Sequence, residues 1–257
     1  MKTTTLPTLR EMFEAGVHFG HKKQYSDARG RDYFYCVRDK VVVINLEKTR
    51  EALEKALGFL AEKSANGSTI LFVGTKPQAR EIIKKVATEL DMPFVVNRWL
   101  GGTLTNFETI ERNLKKLKKL EDELNDAQSS KTKKEKTVLK RTIDRSKYNL
   151  SGMEKLSQLP QVMFIIDPVE EKLAIKEAAM MGIPTVAILD TNANPRNITY
   201  PIPANDDTPA SLGLIMDLVK SAIKENFKPK TEQVDADAKN SKREKPVAKT
   251  ELKAKSK

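Results

Sequence analysis

Short apolar runs alternate with amphipathic stretches along most of the chain. Five runs rich in β-branched and aromatic residues are predicted to be strands: Val41–Ile44, Ile70–Val73, 94–96, Val162–Ile166 and Thr185–Leu189. The stretches that follow carry apolar residues at intervals of three and four, which predicts helices after Asn45, from Pro77, after Asp167 and from about Thr208. Continuously apolar strands that alternate with helices are typical of parallel sheets buried on both faces. We therefore predict an α/β fold with a mainly parallel sheet and helices on both faces.

Residues 108–150 interrupt this alternation. Apolar residues recur at helical intervals from Ile110 to Leu124. The positions between them hold four lysines: Lys115, Lys116, Lys118 and Lys119. A polar turn at 126–131 is followed by a second, weaker helical pattern. We predict an antiparallel helical hairpin, and its narrow apolar stripe favours a self-paired coiled coil over a hairpin packed on the sheet.

The last segment, residues 228–257, contains almost no large apolar side chain. Such a segment cannot bury enough surface to offset the entropy of ordering, so we predict a disordered tail. The predicted organisation is a sheet domain formed by 1–107 and 151–227, a hairpin at 108–150, and a basic tail.

The net charge of +11 is distributed unevenly. Residues 108–150 hold 13 Lys and Arg against 8 Asp and Glu, and residues 228–257 hold 10 against 5. The rest of the chain holds 23 against 22 and is nearly neutral. If the positive charge served solubility alone, we would expect it to be spread along the whole chain. Two basic extensions on a neutral body indicate arms that reach toward nucleic acid.

Enzyme chemistry finds little support in the sequence. Gly74-Thr75-Lys76 follows a predicted strand, but Thr75 separates the glycine from the lysine and Thr69 stands where a phosphate loop needs its first glycine. Lys76 would then sit at a helix start that holds an RNA phosphate instead of a nucleotide. The only histidines, His18 and His21, are too few for a His-based catalytic or zinc site, so we predict a structural or RNA-contact role for both.

The single cysteine excludes an internal disulfide framework and a multi-cysteine zinc site. Cys36 lies in a probable strand, where we expect a small buried side chain. No apolar run is long enough to cross a membrane, and the first residues do not resemble a signal peptide. These features fit a cytoplasmic protein.

Four aspartates follow or adjoin predicted strands: Asp167, Asp190, Asp206 and Asp207. Because the carboxyl ends of parallel strands meet at one edge of the sheet, these side chains are candidates for a carboxylate cluster. Helix capping is the alternative that we favour, since Asp167 precedes Pro168 and Asp207 precedes Thr208-Pro209. We assign no metal site and no cofactor.

The junction of the sheet domain and the hairpin carries a distinctive segment at 97–107. It contains the only tryptophan, a glycine pair that permits close approach of a partner, and several hydrogen-bonding side chains. Its candidate contact residues are Arg98, Trp99, Gly101, Gly102, Thr103 and Asn106. Arg98 suits a phosphate, and Trp99 either stacks on a base or packs in the joint.

This segment closely resembles the bacterial family of small-subunit ribosomal protein number two. The same family is matched at 14–21, 72–76, 182–184, 190–192 and 198–207, in order, over residues 9–227. The resemblance implies a flavodoxin-like domain with a protruding coiled-coil hairpin, seated between the head and body of the small subunit. Many members carry Trp-Asn-Pro-Lys after the His-Phe-Gly-His motif, but this chain has Tyr25-Ser26-Asp27-Ala28-Arg29. Family contacts therefore do not carry over to residues 22–31.

The resemblance also implies contact with small-subunit rRNA and with neighbouring ribosomal proteins, including the large mRNA-binding first protein of the subunit, which the chain would help to dock. We predict a structural, non-enzymatic role on the ribosome, with no small-molecule substrate, no membrane and no homo-oligomer. The alternatives are a nucleotide-dependent α/β enzyme and a coiled-coil adaptor without an RNA role.

Overall fold

The computed structural model of this protein describes residues 5–125 and 132–227. The predicted turn at 126–131 and the predicted tail at 228–257 lie outside the described residues. Among the helices that are described, none is long and apolar enough to span a membrane.

Eight strands and seven α-helices make up the described chain. The strands are β1 Phe19–Lys22, β2 Phe34–Arg38, β3 Val41–Ile44, β4 Ile70–Val73, β5 Phe94–Val95, β6 Val162–Ile166, β7 Thr185–Leu189 and β8 Tyr200–Pro203. The helices are α1 Leu9–Glu14, α2 Leu46–Ala65, α3 Pro77–Glu89, α4 Phe107–Asn125, α5 Lys133–Leu150, α6 Lys172–Met180 and α7 Pro209–Asn226. Short 3₁₀ helices occupy Lys23–Tyr25, Ala28–Tyr33, Ser151–Met153 and Pro195–Asn197.

A five-stranded parallel sheet in the order β5-β4-β6-β7-β8 confirms the predicted α/β fold. Every residue of β4, β6 and β7 is buried, which explains why these strands read as continuous apolar runs. One sheet face packs on α2, α3 and α7, and the other packs on α6 and on residues of α4 and α5. Both faces are therefore covered, as predicted.

The run Val41–Ile44 does not join the parallel sheet. It is β3, the central strand of a separate antiparallel sheet in the order β1-β3-β2. Val42 and Ile44 are buried while Val41 and Val43 are partly exposed, so this strand is covered on one face only. The prediction for Cys36 was wrong, because the outer strand β2 leaves that side chain exposed.

The edge strand β8 was not predicted, because it contains Pro201 and Pro203. Proline is tolerated in an edge strand when its missing N–H would point away from the sheet. The next residue, Ala204, donates its N–H to the carbonyl of Leu189 at the end of β7 (2.9 Å), so the two prolines face outward. The outward carbonyl of Pro203 accepts a hydrogen bond from the Thr49 hydroxyl (2.7 Å).

Helices α4 and α5 occupy the predicted hairpin. Thr132 caps the N-terminus of α5 with a capping box, in which Glu135 accepts from the Thr132 N–H (2.7 Å). The helices are joined by an ion pair between Lys147 and Glu121 (2.6 Å). Four apolar residues are buried between them or beneath them: Ile110, Leu117, Ile143 and Leu150. These residues belong to the same apolar core as one face of the sheet, so the base of the hairpin packs on the sheet domain.

Candidate functional site

Lys76 lies at the carboxyl edge of the parallel sheet and is surrounded by aspartates. Its Nζ lies 2.6 Å from Asp206 Oδ1, 2.6 Å from Asp207 Oδ1 and 3.4 Å from Asp167 Oδ2. The Lys76 side chain is only 12 % exposed. Its ammonium group is thus neutralised inside the protein. Contact of Lys76 with an RNA phosphate stays a prediction.

His21 extends the same cluster. Its Nδ1 lies 2.9 Å from Asp190 Oδ2 and its Nε2 lies 3.6 Å from Asp207 Oδ2. Asp207 therefore stands between the two basic groups, His21 and Lys76. The four aspartates that sequence analysis considered gather at one edge, because three of them follow parallel strands and the fourth is adjacent in the chain.

Capping explains only one of these aspartates. Asp167 Oδ1 accepts hydrogen bonds from the N–H groups of Val169 (2.9 Å) and Glu170 (3.3 Å), in the turn before α6. Asp207 does not cap α7, contrary to our preference. The turn before that helix is held by Asn205, whose Oδ1 accepts from the N–H groups of Asp207 and Thr208.

Burial and mutual charge shift the ionisation of this cluster. Burial, together with the charge of Asp167, raises the pKa of Asp206 to about 7, despite the opposing effect of Lys76. Burial by itself would lower the pKa of Lys76, but its ion pairs with Asp206 and Asp207 outweigh burial and raise it. The hydrogen bond that His21 donates to Asp190 raises the pKa of His21, although burial opposes this effect.

Three residues of the cluster have the donor types that hold a metal ion. His21, Asp190 and Asp207 each offer one ligand atom, and these atoms lie within 4.8 Å of one another. One imidazole nitrogen with two carboxylate oxygens is a donor set that suits zinc. No pattern in the sequence joins His21 to Asp190 and Asp207, which lie 169 and 186 positions further along the chain, because only the fold brings them together.

His18 is placed differently from His21. Its ring lies between the rings of Phe13 and Phe19, with centroids 4.2 Å and 4.1 Å away. Burial lowers the pKa of His18, which favours the neutral ring. This placement fits the structural role, one of the two roles predicted for His18, and contact with RNA stays a prediction. The two phenylalanines are exposed, by 59 % and 54 %.

The junction segment wraps around a carboxylate that sequence analysis missed, Glu177 of α6. Its Oε1 accepts hydrogen bonds from Trp99 Nε1 (3.1 Å) and the Gly102 N–H (2.9 Å). Its Oε2 accepts from the Leu104 N–H (2.9 Å), and from the N–H and hydroxyl of Thr105 (both 3.3 Å). Gly102 has a φ of +87°, which only glycine adopts without strain. One buried acid therefore determines the shape of the junction.

The ionised form of Glu177 is favoured by these donors. Burial would raise its pKa, but the hydrogen bonds from Leu104, Gly102 and Trp99 outweigh burial and lower it. A sequence signal existed, because Glu177 lies between Ala174 and Ala178 on the buried face of α6. A charged residue at such a position requires partners, but the sequence alone does not say which.

The predicted contact residues at the junction divide into buried and exposed sets. Trp99 is 7 % exposed and Thr103 is fully buried, so neither side chain is available to an outside partner in this conformation. Packing in the joint was one of the two roles considered for Trp99, and contact of Thr103 with a partner stays a prediction. Arg98, Gly101 and Asn106 are exposed. So are the hairpin lysines: Lys115, Lys116, Lys118 and Lys119.

Comparison with known proteins identifies the family of this chain. A sequence model of the family described as ribosomal protein S2 matches residues 12–226. The protein named small ribosomal subunit protein uS2 from Opitutus terrae is 42 % identical over 84 % of this chain and 72 % of its own length. Its namesake from Corynebacterium urealyticum is 39 % identical over 91 % of this chain and 87 % of its own length. The protein of the same name from Bifidobacterium animalis subsp. lactis is 40 % identical over 94 % of this chain and 80 % of its own length. The chain therefore belongs to the ribosomal protein S2 family.

Proposed function

We propose that this chain is a structural part of the small ribosomal subunit, where it binds rRNA and neighbouring proteins and supports assembly and translation. Membership of the family supports the general part of this proposal, a ribosomal and non-enzymatic role. Lys76, which a nucleotide-dependent enzyme would turn toward a phosphate, is instead enclosed by aspartates.

Exposed cations support the proposed contact with rRNA. Arg98 is exposed at the junction, and among the described residues no carboxylate lies within ion-pair distance of it. Asn106 and Gly101 are exposed close by in the chain, and offer neutral polar groups beside that charge. Each cation set against a phosphate releases counterions, which favours binding. The buried Trp99 and Glu177 would act indirectly, by holding the loop that presents Arg98.

Exposed apolar rings support the proposed contact with other ribosomal proteins. Phe13 and Phe19 stand on either side of the buried His18, and Leu9 of the same short helix as Phe13 is also exposed. Exposed aromatic side chains that lie together are typical of protein interfaces. We propose this surface for a protein neighbour, with the large mRNA-binding first protein of the subunit as the candidate.

Sedimentation tests the proposal. The chain is expected to co-sediment with small subunits and with translating ribosomes in a lysate at low salt. Treatment with RNase should release it, because its place depends on rRNA. A chain that stays at the top of the gradient would refute the ribosomal role. Complexes that survive RNase would instead favour a coiled-coil adaptor.

A further inference from the structure

The excess charge of the hairpin lies on one of its two helices. Helix α4 carries five Lys and Arg and five Asp and Glu, so its formal charges cancel. Helix α5 carries seven Lys and Arg and two Asp and Glu. The lysines that drew attention in the sequence are on the neutral helix, and one of them, Lys115, is paired with Glu111 (2.7 Å). The positive field of the described hairpin therefore comes from α5.

Most cations of α5 have no carboxylate partner. Among the described residues, an ion pair is formed by Lys147 alone of the seven, with Glu121. The unpaired cations of this helix are Lys133, Lys134, Lys136, Lys140, Arg141 and Arg145. Asp122 near the end of α4 makes no ion pair with them at 4.0 Å or less within the described ranges. These charges are thus available to an outside anion.

The first turn of α5 breaks a general rule of helix stability. Lys133, Lys134 and Lys136 all lie in this turn, where the helix dipole and the free N–H groups are already positive. Acidic side chains are favoured at such positions, and Glu135 is the one acid present. Cations placed there cost stability and raise the local positive potential. Departures of this kind are expected at functional surfaces.

A shallow cleft beside this turn is lined mainly by lysine side chains. Its volume is about 370 Å³. Its lining consists of Leu124, Lys133, Lys136, Thr137 and Lys140. Lys133 and Lys140 lie seven residues apart, or about 10 Å along the helix axis. Lys136 stands between them along the helix, is half-buried and also lines the cleft.

We propose that this α5 cleft docks the sugar-phosphate backbone of rRNA, and that α5 supplies more of the hairpin's RNA affinity than α4. This inference rests on the proposed ribosomal function. The lining favours RNA over an acidic protein, because Leu124 is its only apolar side chain of any size and it has no aromatic anchor. Lysine ammonium groups on one helical face bind phosphates as separate point charges, with no need for a base sequence.

Salt-dependent binding to small-subunit rRNA by the full chain tests the inference. The variant Lys133→Gln, Lys136→Gln, Lys140→Gln removes three charges of the cleft. Each lost phosphate contact should reduce the slope of log K against log salt by about 0.7 to 0.9, so a reduction of about 2 to 3 is expected. This corresponds to a loss of affinity of roughly 100-fold near 0.15 M salt.

The matched control removes three charges from the other helix, as Lys116→Gln, Lys118→Gln, Lys119→Gln. Its slope should fall by less than about 1. Equal slopes for the two variants, or a larger fall for the control, would overturn the inference while leaving the ribosomal role intact. A cleft variant that binds rRNA with an unchanged slope but fails to enter subunits would mean that the cleft docks a protein, which also overturns it. No rRNA binding by the unmodified chain would count against the proposed function itself.

Discussion

Replacement of Glu177 by alanine should destabilise the protein strongly. The carboxylate accepts five hydrogen bonds, and two of the donors belong to residues that are almost completely buried, Trp99 and Leu104. Each buried donor left without a partner costs about 1–3 kcal/mol. The two together predict a loss of about 4 kcal/mol, which is a large part of the 5–15 kcal/mol typical of a folded domain.

Chemical denaturation measures this loss directly, and thermal melting should fall by about 10 °C for a domain of this size. Glu177→Gln should lose roughly half as much, about 2 kcal/mol, because its carbonyl still accepts on one side while its amide meets N–H donors on the other. Glu170→Ala changes an exposed acid just before the same helix and should cost less than about 0.5 kcal/mol. A loss below about 1 kcal/mol for Glu177→Ala would refute the reasoning that Glu177 holds the junction.

Three further predictions concern assembly, packing and pH. Arg98→Ala should melt normally but enter small subunits poorly, and normal incorporation of this variant would contradict its role as a contact. Trp99→Ala should enter poorly and should in addition lose about 3–5 kcal/mol of stability. Gradient analysis measures incorporation, and thermal melting measures stability. Gly152→Ala should lose about 1–3 kcal/mol of stability, because the added Cβ would lie 2.1 Å from the Phe94 carbonyl oxygen. Chemical denaturation measures this loss, and a variant as stable as the parent would contradict the clash. Because the pKa of Asp206 is raised, the stability that this group contributes is present at low pH and is lost as pH rises from about 4 through 7. The melting temperature of Asp206→Asn should therefore depend less on pH between 4 and 8 than that of the parent. Identical profiles for the two proteins would contradict the shift.

The buried strands were predictable because burial on both faces leaves a continuous apolar run. Ile70–Val73, Val162–Ile166 and Thr185–Leu189 are the three central strands of the parallel sheet, and all of their residues are buried. Val41–Ile44 has the same composition, but the structure pairs it with two antiparallel strands. Apolar content alone does not distinguish these two environments, since β-branched residues suit both.

The candidate site was less accessible to sequence reasoning. The lysine of Gly74-Thr75-Lys76 was expected at a phosphate, because a strand followed by a helix often binds one there. Its aspartate partners lie between 91 and 131 positions further along the chain, and the sheet topology alone brings them within 3.4 Å of its Nζ. Glu177 shows the same difficulty: its burial could be suspected from the spacing on α6, but its five donors could not be named.

The outer edge of β8 has a consequence for the newly made chain before it joins other molecules. An open sheet edge with free N–H groups can recruit a strand from a second chain and begin aggregation. Pro201 and Pro203 present no N–H on this edge, and the carbonyl of Pro203 is already engaged by Thr49. A second strand would find no N–H donor at Pro201 or Pro203 along this edge. The two prolines that made the strand hard to predict from the sequence thus disfavour the pairing of this edge with a strand of a second chain.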